Sequence, residues 1–390
     1  MSVIKLTKQL ISIPSYLSSK TNEKIIGDFV FSYLKQFPYF KIKKQKIDKK
    51  RFNIIAETSD VPHLFLAGHL DTVEPKQGWS KNQFKGITKN GKLYGLGSLD
   101  TKSGVAAILD SLCDFKKISN LNLLFYCDEE YNFKGMKKFI ASPKKKIGNL
   151  AILVEPTDLK IWNTHRGLIE IYFSIQGKSG HAADPKSGKN AIDGITRAFV
   201  DLQNRLEKFT DPILGIPSFN IAYIRGGLYQ GNRNGNIKLG KEGNNIADFA
   251  EAVIDIRPTN QKLRVKKIKA WLEEFLIKEG YKLLNFSVRH DFAPLYSDSS
   301  NPSELKILEK VLQKNLGKVG YLNPSKKGYG DGQLLQEKFN IPVIYLGPKG
   351  ANAHGIDEWV DINSIKKLRQ IFSELIASYC KTEHHHNLPL

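Results

Sequence analysis

The stretch LFYCDEEYN, residues 123–131, ends an apolar run in three adjacent carboxylates, Asp128, Glu129 and Glu130. Like charges at a strand end repel, so the stretch requires either solvent or a cation. Taken alone, a solvated acidic turn satisfies it; a bound cation requires ligands from elsewhere in the chain. Such residues exist. His69 and Asp71 follow LFLAG two residues apart, which on an extended strand places both side chains on one face. Asp100 follows the glycine-containing LYGLGSL, Glu155 stands in LVEPT, and His354 lies in GANAHGIDEW. Imidazole nitrogens and carboxylate oxygens are the donors zinc accepts, with an open position when the metal is catalytic. These donors are too many for one ion, whereas a pair of ions about 3.5–4 Å apart, bridged by one carboxylate, would use them all. Each residue also has a plainer reading: His69 as a strand cap, Asp100 as the cap of the helix after it, Glu155 before Pro156 as a strand end. Jointly, in this order on one sheet edge, they favour the metal.

The elements that must position these residues can be read from periodicity. Through residues 1–160, short apolar strands alternate with amphipathic helical stretches, the pattern of an α/β domain with a mostly parallel sheet. HLFLAGHLDTV, LNLLFYCDEE and LAILVEPTD are buried strands whose carboxyl ends deliver polar residues, where open α/β sheets bind ligands. From residue 166 the order becomes strand, helix, strand, strand, helix, strand, a ferredoxin-like α+β (βαββαβ) arrangement inserted into the first domain. Between its second and third strands, YQGNRNGNIKLGKEGNN predicts an extended hairpin or a mobile loop. The α/β pattern resumes with ELKILEKVLQKNL, IPVIYLGP and SIKKLRQIFSELIASYC. The expected organisation is a catalytic domain of residues 1–165 and 292–390, interrupted by 166–291, with residues 383–390 of TEHHHNLPL as a disordered tail.

Composition narrows the function classes. No apolar run approaches the ~20 residues of a membrane span, and MSVIKLTKQLISIPS lacks the features of a signal peptide. Cys113, Cys127 and Cys380 are odd in number and widely spaced, which fits a cytoplasmic protein rather than a disulfide framework. The net charge of +20 raises nucleic acid as a partner. The lysines are dispersed along the chain without a nucleic-acid motif, so nucleic acid is not expected.

The blocks GHLDTV, GKLYGLGSLDTKSGVAA, CDEE, VEPT, GKSGHAADPKSGKNAI, DIRP and GPKGANAHGIDEW resemble, in order and approximate spacing, the signatures of the dinuclear zinc amidohydrolases. That family includes acetylornithine deacetylase, succinyl-diaminopimelate desuccinylase, aminoacylase and related zinc carboxypeptidases. The resemblance implies a zinc-exopeptidase-like catalytic domain with an inserted lid and dimerisation domain. It implies two Zn2+ per subunit, with Co2+ as a possible substitute: His69, Asp100 and Glu155 on one ion, and Asp100, Glu130 and His354 on the other. It further implies a cis peptide after Asp100, Asp71 holding His69 through its second nitrogen, and Glu129 as general base. Adjacent residues leaving a strand point to different sides, so Glu129 and Glu130 can divide the two roles, leaving Asp128 with a structural hydrogen bond. His181 reads by itself equally as a surface histidine; the resemblance makes it an oxyanion donor in the other subunit of a homodimer. Asn245, Arg257 and Gly347 become substrate contacts, with a salt bridge inside the sheet as the alternative for Arg257.

Within the family, YGLGSLD, SGHAADPKSGKNAID and PSFNIAYIRGG lean towards deacetylation of N-acetylornithine, a small-molecule N-acyl amino acid. The loop from Leu228 to Gly243 and GYGDGQLL depart from that pattern. The alternative is succinyl-diaminopimelate desuccinylase, whose extra carboxylates the basic residues at 225–242 and 326–327 could meet. A non-catalytic binding protein of the same fold is a further alternative, and the presence of Glu129 beside a full ligand set argues against it.

Overall fold

The computed structural model describes residues 2–58, 61–143, 146–297, 302–324 and 328–384. The chain forms two compact units, Met1–Asn163 with Tyr296–Asn323 and Gly330–Leu390, and Thr164–Leu295 with Pro324–Tyr329.

The first unit is built on a six-stranded sheet ordered Lys41–Lys46, Phe52–Glu57, Leu121–Tyr126, Leu64–His69, Leu150–Leu153, Val343–Tyr345. The first two pairings are antiparallel and the remaining three parallel. Leu121–Tyr126, Leu64–His69 and Leu150–Leu153 are buried at every position, as expected of parallel strands covered on both faces. The edge strand Lys41–Lys46 instead exposes lysines, which discourage pairing with another sheet. Helix Ser103–Ser111 is buried throughout, and helix Ile362–Tyr379 contributes Ile365, Leu368, Phe372 and Leu375 to the same core. The register sets the functional edge. His69 pairs with Tyr126 and Ala67 with Leu153, so three strands end together and pass their next residues to one side of the sheet.

The second unit is a five-stranded antiparallel sheet ordered Asn236–Gly240, Ser218–Arg233, Phe249–Arg257, Leu168–Gln176, Lys282–Phe292. Alternate residues of Leu168–Gln176 and Phe249–Arg257 form a core with the apolar faces of helices Ala191–Leu206 and Val265–Lys278. This is the expected ferredoxin-like arrangement, extended by one strand. The Gly/Asn-rich segment forms a hairpin: Arg233 pairs with Asn236 across Asn234 and Gly235, both at positive φ. Asn-Gly suits such a turn because its twist matches that of the flanking strands.

Two boundaries differ from the sequence expectation. Pro324, Gly328 and Tyr329 group with the second unit, where the Tyr329 ring stacks on Phe292 at 5.1 Å; no periodicity in the sequence marks this return. Glu383 and His384, expected in a disordered tail, belong to strand Lys381–His384, which pairs antiparallel with Phe115–Ser119. The open edge of that partner strand supplies the hydrogen bonds that composition alone does not reveal. Residues 385–390 lie outside the described residues. Among the described residues, no helix is long and apolar enough to cross a membrane.

Leu66 is fully buried in the central strand that ends at His69. Leu66→Ala is expected to cost about 2–5 kcal/mol, read as a lowered urea midpoint with unchanged m-value.

Candidate metal centre

His69 is the last residue of its strand and is 1% exposed. Its Nε2 lies 3.0 Å from Asp100 Oδ1 and 3.7 Å from Glu155 Oε1. Its Nδ1 lies 3.1 Å from the Asp71 backbone carbonyl and 3.6 Å from Asp71 Oδ1. The resemblance implies that Asp71 holds His69 through this nitrogen; the Asp71 carbonyl has the hydrogen-bonding distance, while Asp71 Oδ2 accepts from Glu130 N at 2.9 Å. Asp71 therefore links His69 to the DEE turn through backbone and side chain together.

Asp100 sits in a bend that backbone geometry makes possible. Gly97 has φ +75°, and a Cβ there would meet Thr72 Cγ2 at 2.6 Å. The Asp100–Thr101 peptide is cis, as the resemblance implies. The buried Glu358 carboxylate accepts from Gly97 N at 2.8 Å, Leu99 N at 2.8 Å and Asp100 N at 3.0 Å. Thr101 Oγ1 donates to Val154 O at 3.1 Å, tying this bend to the strand end that carries Glu155. Asp100 then divides its oxygens: Oδ1 faces His69, and Oδ2 lies 3.3 Å from His354 Nε2. His354 Nε2 is also 3.0 Å from Glu130 Oε2.

Glu155 is fixed from behind. Gly347 packs so closely that a Cβ would stand 2.0 Å from Glu155 O. Thr157 Oγ1 accepts from Gly347 N at 2.9 Å. Gly347, expected as a substrate contact, thus has a packing requirement of its own.

The electrostatics ask for positive charge. Burial and the neighbouring Asp100 raise the Glu130 carboxyl, and Glu155 is raised well above the ordinary range for the same two reasons. Burial and the Glu155 charge do likewise for Glu129. Hydrogen bonding to Asp100 and Glu130 pushes His354 up to about 10. His69 is raised despite its burial, chiefly through Asp100 and Asp71. The two imidazoles thus stand where carboxylate lone pairs converge. Donor atoms of His69, Asp100 and Glu130 all lie within 4.8 Å of one another, and buried Glu130 Oε1 has no hydrogen-bond partner. This nitrogen and oxygen donor set, with an orphaned buried oxygen, fits a divalent metal ion.

Two buried carboxylates in this unit went unnoticed in the sequence. Glu358 lies four residues after His354 and serves backbone amides some 260 positions away, so no local pattern marks it. Asp331, in GYGDGQLL, accepts from Tyr126 Oη at 2.9 Å, and burial lifts its carboxyl to about 7.

The remaining predicted residues belong to the second unit. His181 and Asn245 are exposed and joined by a β-bridge, and Ala183 N donates to His181 Nδ1 at 3.1 Å. Arg257 forms a two-point pair with Asp255, Nε to Oδ1 at 2.8 Å and Nη2 to Oδ2 at 3.0 Å. This is the salt bridge inside the sheet that stood as its alternative reading.

The profile of peptidase family M20/M25/M40 matches residues 65–378. Acetylornithine deacetylase of Photorhabdus laumondii subsp. laumondii is 31% identical, over 97% of each chain. That of Buchnera aphidicola subsp. Schizaphis graminum is 29% identical, over 97% of this chain and 98% of its own. Among solved structures, an M20 family metallo-carboxypeptidase from Sulfolobus solfataricus superposes with a TM-score of 0.75 at 17% identity, over 97% and 99% of the two chains. A dinuclear metal-binding M20 peptidase from Bacillus subtilis gives 0.64 at 16%, over 96% of each. At those identities the structural likeness establishes the fold.

Glu358→Ala would leave three buried amides without an acceptor, each worth about 1–3 kcal/mol. The variant is expected to unfold at lower urea and to bind divalent metal about 10–100-fold more weakly by calorimetric titration. Wild-type metal affinity in the folded variant would count against the clamp.

Proposed function

We propose, from the premise that this chain belongs to peptidase family M20/M25/M40 and is a metal-dependent amidohydrolase, that it uses two zinc ions to deacylate an N-acyl amino acid, N-acetylornithine first among candidates. The observation carrying this reading is the division of Asp100 between two imidazole–carboxylate sets, His69 with Glu155 and His354 with Glu130. Glu129 interacts electrostatically with Glu155 and His69 of one set and with Glu130 of the other.

When bound, two such ions, Zn2+ or substituting Co2+, would polarise the scissile carbonyl and lower the pKa of the attacking water. Glu129 takes the proton of that water and returns it to the leaving amine as the amide breaks into a carboxylate and a free amino acid. The oxyanion of the tetrahedral intermediate is met by His181 of the partner subunit in a homodimer, so each active site needs both chains. Asn245 and Arg257 receive the carboxylate of the amino acid. Because Asp255 already occupies one edge of the Arg257 guanidinium, the substrate carboxylate must share or replace that partner.

Relatives named acetylornithine deacetylase, aligned over nearly the whole chain, support an acetyl group. The desuccinylase reading relies on the basic residues at 225–242 and at 326–327; of these, Arg225 Nε is paired with Glu251 Oε1 at 2.5 Å, and Lys326 and Lys327 lie outside the described residues.

A panel of acetyl, succinyl and formyl amino acids is expected to give fastest turnover with N-acetylornithine; a preference for succinylated substrates would select the alternative. Metal analysis is expected to find two tightly bound divalent ions per chain, with activity abolished by chelation and restored by Zn2+ or Co2+. Glu129→Gln should keep both ions while kcat falls by about 10²–10⁴-fold. Mixing His181→Ala with Glu129→Gln chains should restore part of the activity; verified mixed dimers without activity would contradict the shared site.

A further inference from the structure

We infer that Arg51 is a positioning residue for this reaction, holding the Glu129–Glu130 turn in place through the buried carboxylate of Asp128. The inference rests on the function proposed for Glu129 and Glu130, and it assigns a role to the one member of the acidic triplet that the chemistry leaves over.

Asp128 is fully buried and has φ +66°, a left-handed conformation that a non-glycine residue keeps only when its surroundings impose it. Those surroundings engage every polar group it has. Its amide donates to Glu23 Oε1 at 3.1 Å, and its carbonyl accepts from Phe133 N at 2.7 Å. Its Oδ2 accepts from Lys134 N at 3.3 Å, at the start of helix Lys134–Ile140. Its Oδ1 accepts from Arg51 Nη1 at 2.8 Å.

Arg51 is in turn immobilised. It is 5% exposed, and its Nε donates to Asp48 Oδ2 at 2.7 Å, while Asp48 Oδ1 accepts from Lys50 N at 3.0 Å and Arg51 N at 2.9 Å. Its Nη1 also lies 3.3 Å from Glu23 Oε1, so one guanidinium joins the loop before strand Phe52–Glu57, the cap of helix Lys24–Leu34 and the DEE turn. A lysine supplies the charge without the planar fork that serves Asp48 and Asp128 together.

The left-handed residue lets one carboxylate of the triplet turn inward while its two neighbours remain available at the sheet edge. Arg51 neutralises the inward charge and fixes its direction. If the turn relaxes, Glu129 and Glu130 shift relative to Asp100, whose amide is held by Glu358, and the bond from Glu130 N to Asp71 passes part of that shift to His69. The loss then falls on proton transfer and on the metal environment, not on ground-state binding of substrate.

The test compares Arg51→Met and Arg51→Lys with Arg369→Met. Arg369 pairs with Asp110 and Asp114 and serves as a control for lost stability away from the site. In full-length, metal-loaded enzyme, kcat per folded molecule is expected to fall about 10–100-fold in Arg51→Met with KM within about twofold of wild type, and to recover in part in Arg51→Lys. The visible absorption of the Co2+-loaded protein should change at equal cobalt content. Arg369→Met should lower the melting temperature while leaving kcat, KM and the cobalt spectrum unchanged. A wild-type kcat and cobalt spectrum in Arg51→Met, or losses matched by Arg369→Met, would overturn the inference. If Arg51→Met does not fold, Arg51→Lys decides: wild-type kcat and spectrum there overturn it as well. Failure of the wild type to hydrolyse any N-acyl amino acid would refute the functional reading alone, since the cobalt spectra need no substrate.

Discussion

Acceptor faces acceptor at the heart of the first unit. His69 directs Nδ1 to a backbone carbonyl, leaving Nε2 to meet the carboxylates of Asp100 and Glu155. His354 Nε2 meets Asp100 and Glu130 in the same way. Lone pairs brought this close repel unless a proton or a metal ion lies between them. The surrounding structure, from the close-packed glycine behind Glu155 to the three amides on Glu358, holds a geometry that the carboxylates alone would spread apart.

The parallel sheet is what makes that geometry affordable to encode. Three fully buried strands in fixed register bring His69, the DEE turn and Glu155 to one edge without any contact between those side chains being needed for folding. The hydrophobic core stabilises the strands, and the site residues occupy the first positions beyond it. The opposing cost is local: Gly97, Asp128 and His354 all take positive φ. These three positive-φ residues stand in turns next to or among the ligand candidates, while the strands Leu64–His69, Leu121–Tyr126 and Leu150–Leu153 contain none.

The part of this site legible in the sequence was the part written at strand ends. His69, Asp100, Glu129, Glu130, Glu155 and His354 each follow an apolar run or a glycine turn, so type and position could be read together. The mostly parallel sheet and the ferredoxin-like order were legible for the same reason, because both rest on periodicity. What stayed hidden depends on partners remote in sequence. Glu358 acts on amides 258–261 residues earlier, Arg51 on a carboxylate 77 residues later, and Lys381–His384 pairs with an edge strand more than 260 residues before it. Asp71 shows a subtler limit: its spacing from His69 was informative, yet the contact closest to His69 is through its backbone, which every residue type possesses.

The ligand candidates and the anion-recognition candidates are carried by different units, and that separation has a physical consequence. His69, Asp100, Glu130, Glu155 and His354 depend on the parallel sheet and its glycines, so a change that disturbs them also disturbs a core shared with the whole first unit. His181, Asn245 and Arg257 lie at the borders of an antiparallel sheet with its own hydrophobic core, and two of the three are exposed. Substitution there meets little packing resistance. The hairpin Ser218–Arg233 to Asn236–Gly240 can likewise lengthen or shorten at its Asn-Gly turn without touching that core. Amide hydrolysis is therefore the constrained property of this chain, and the choice of substrate is the adjustable one, which is why motifs in the sequence identify the reaction more sharply than they identify its substrate.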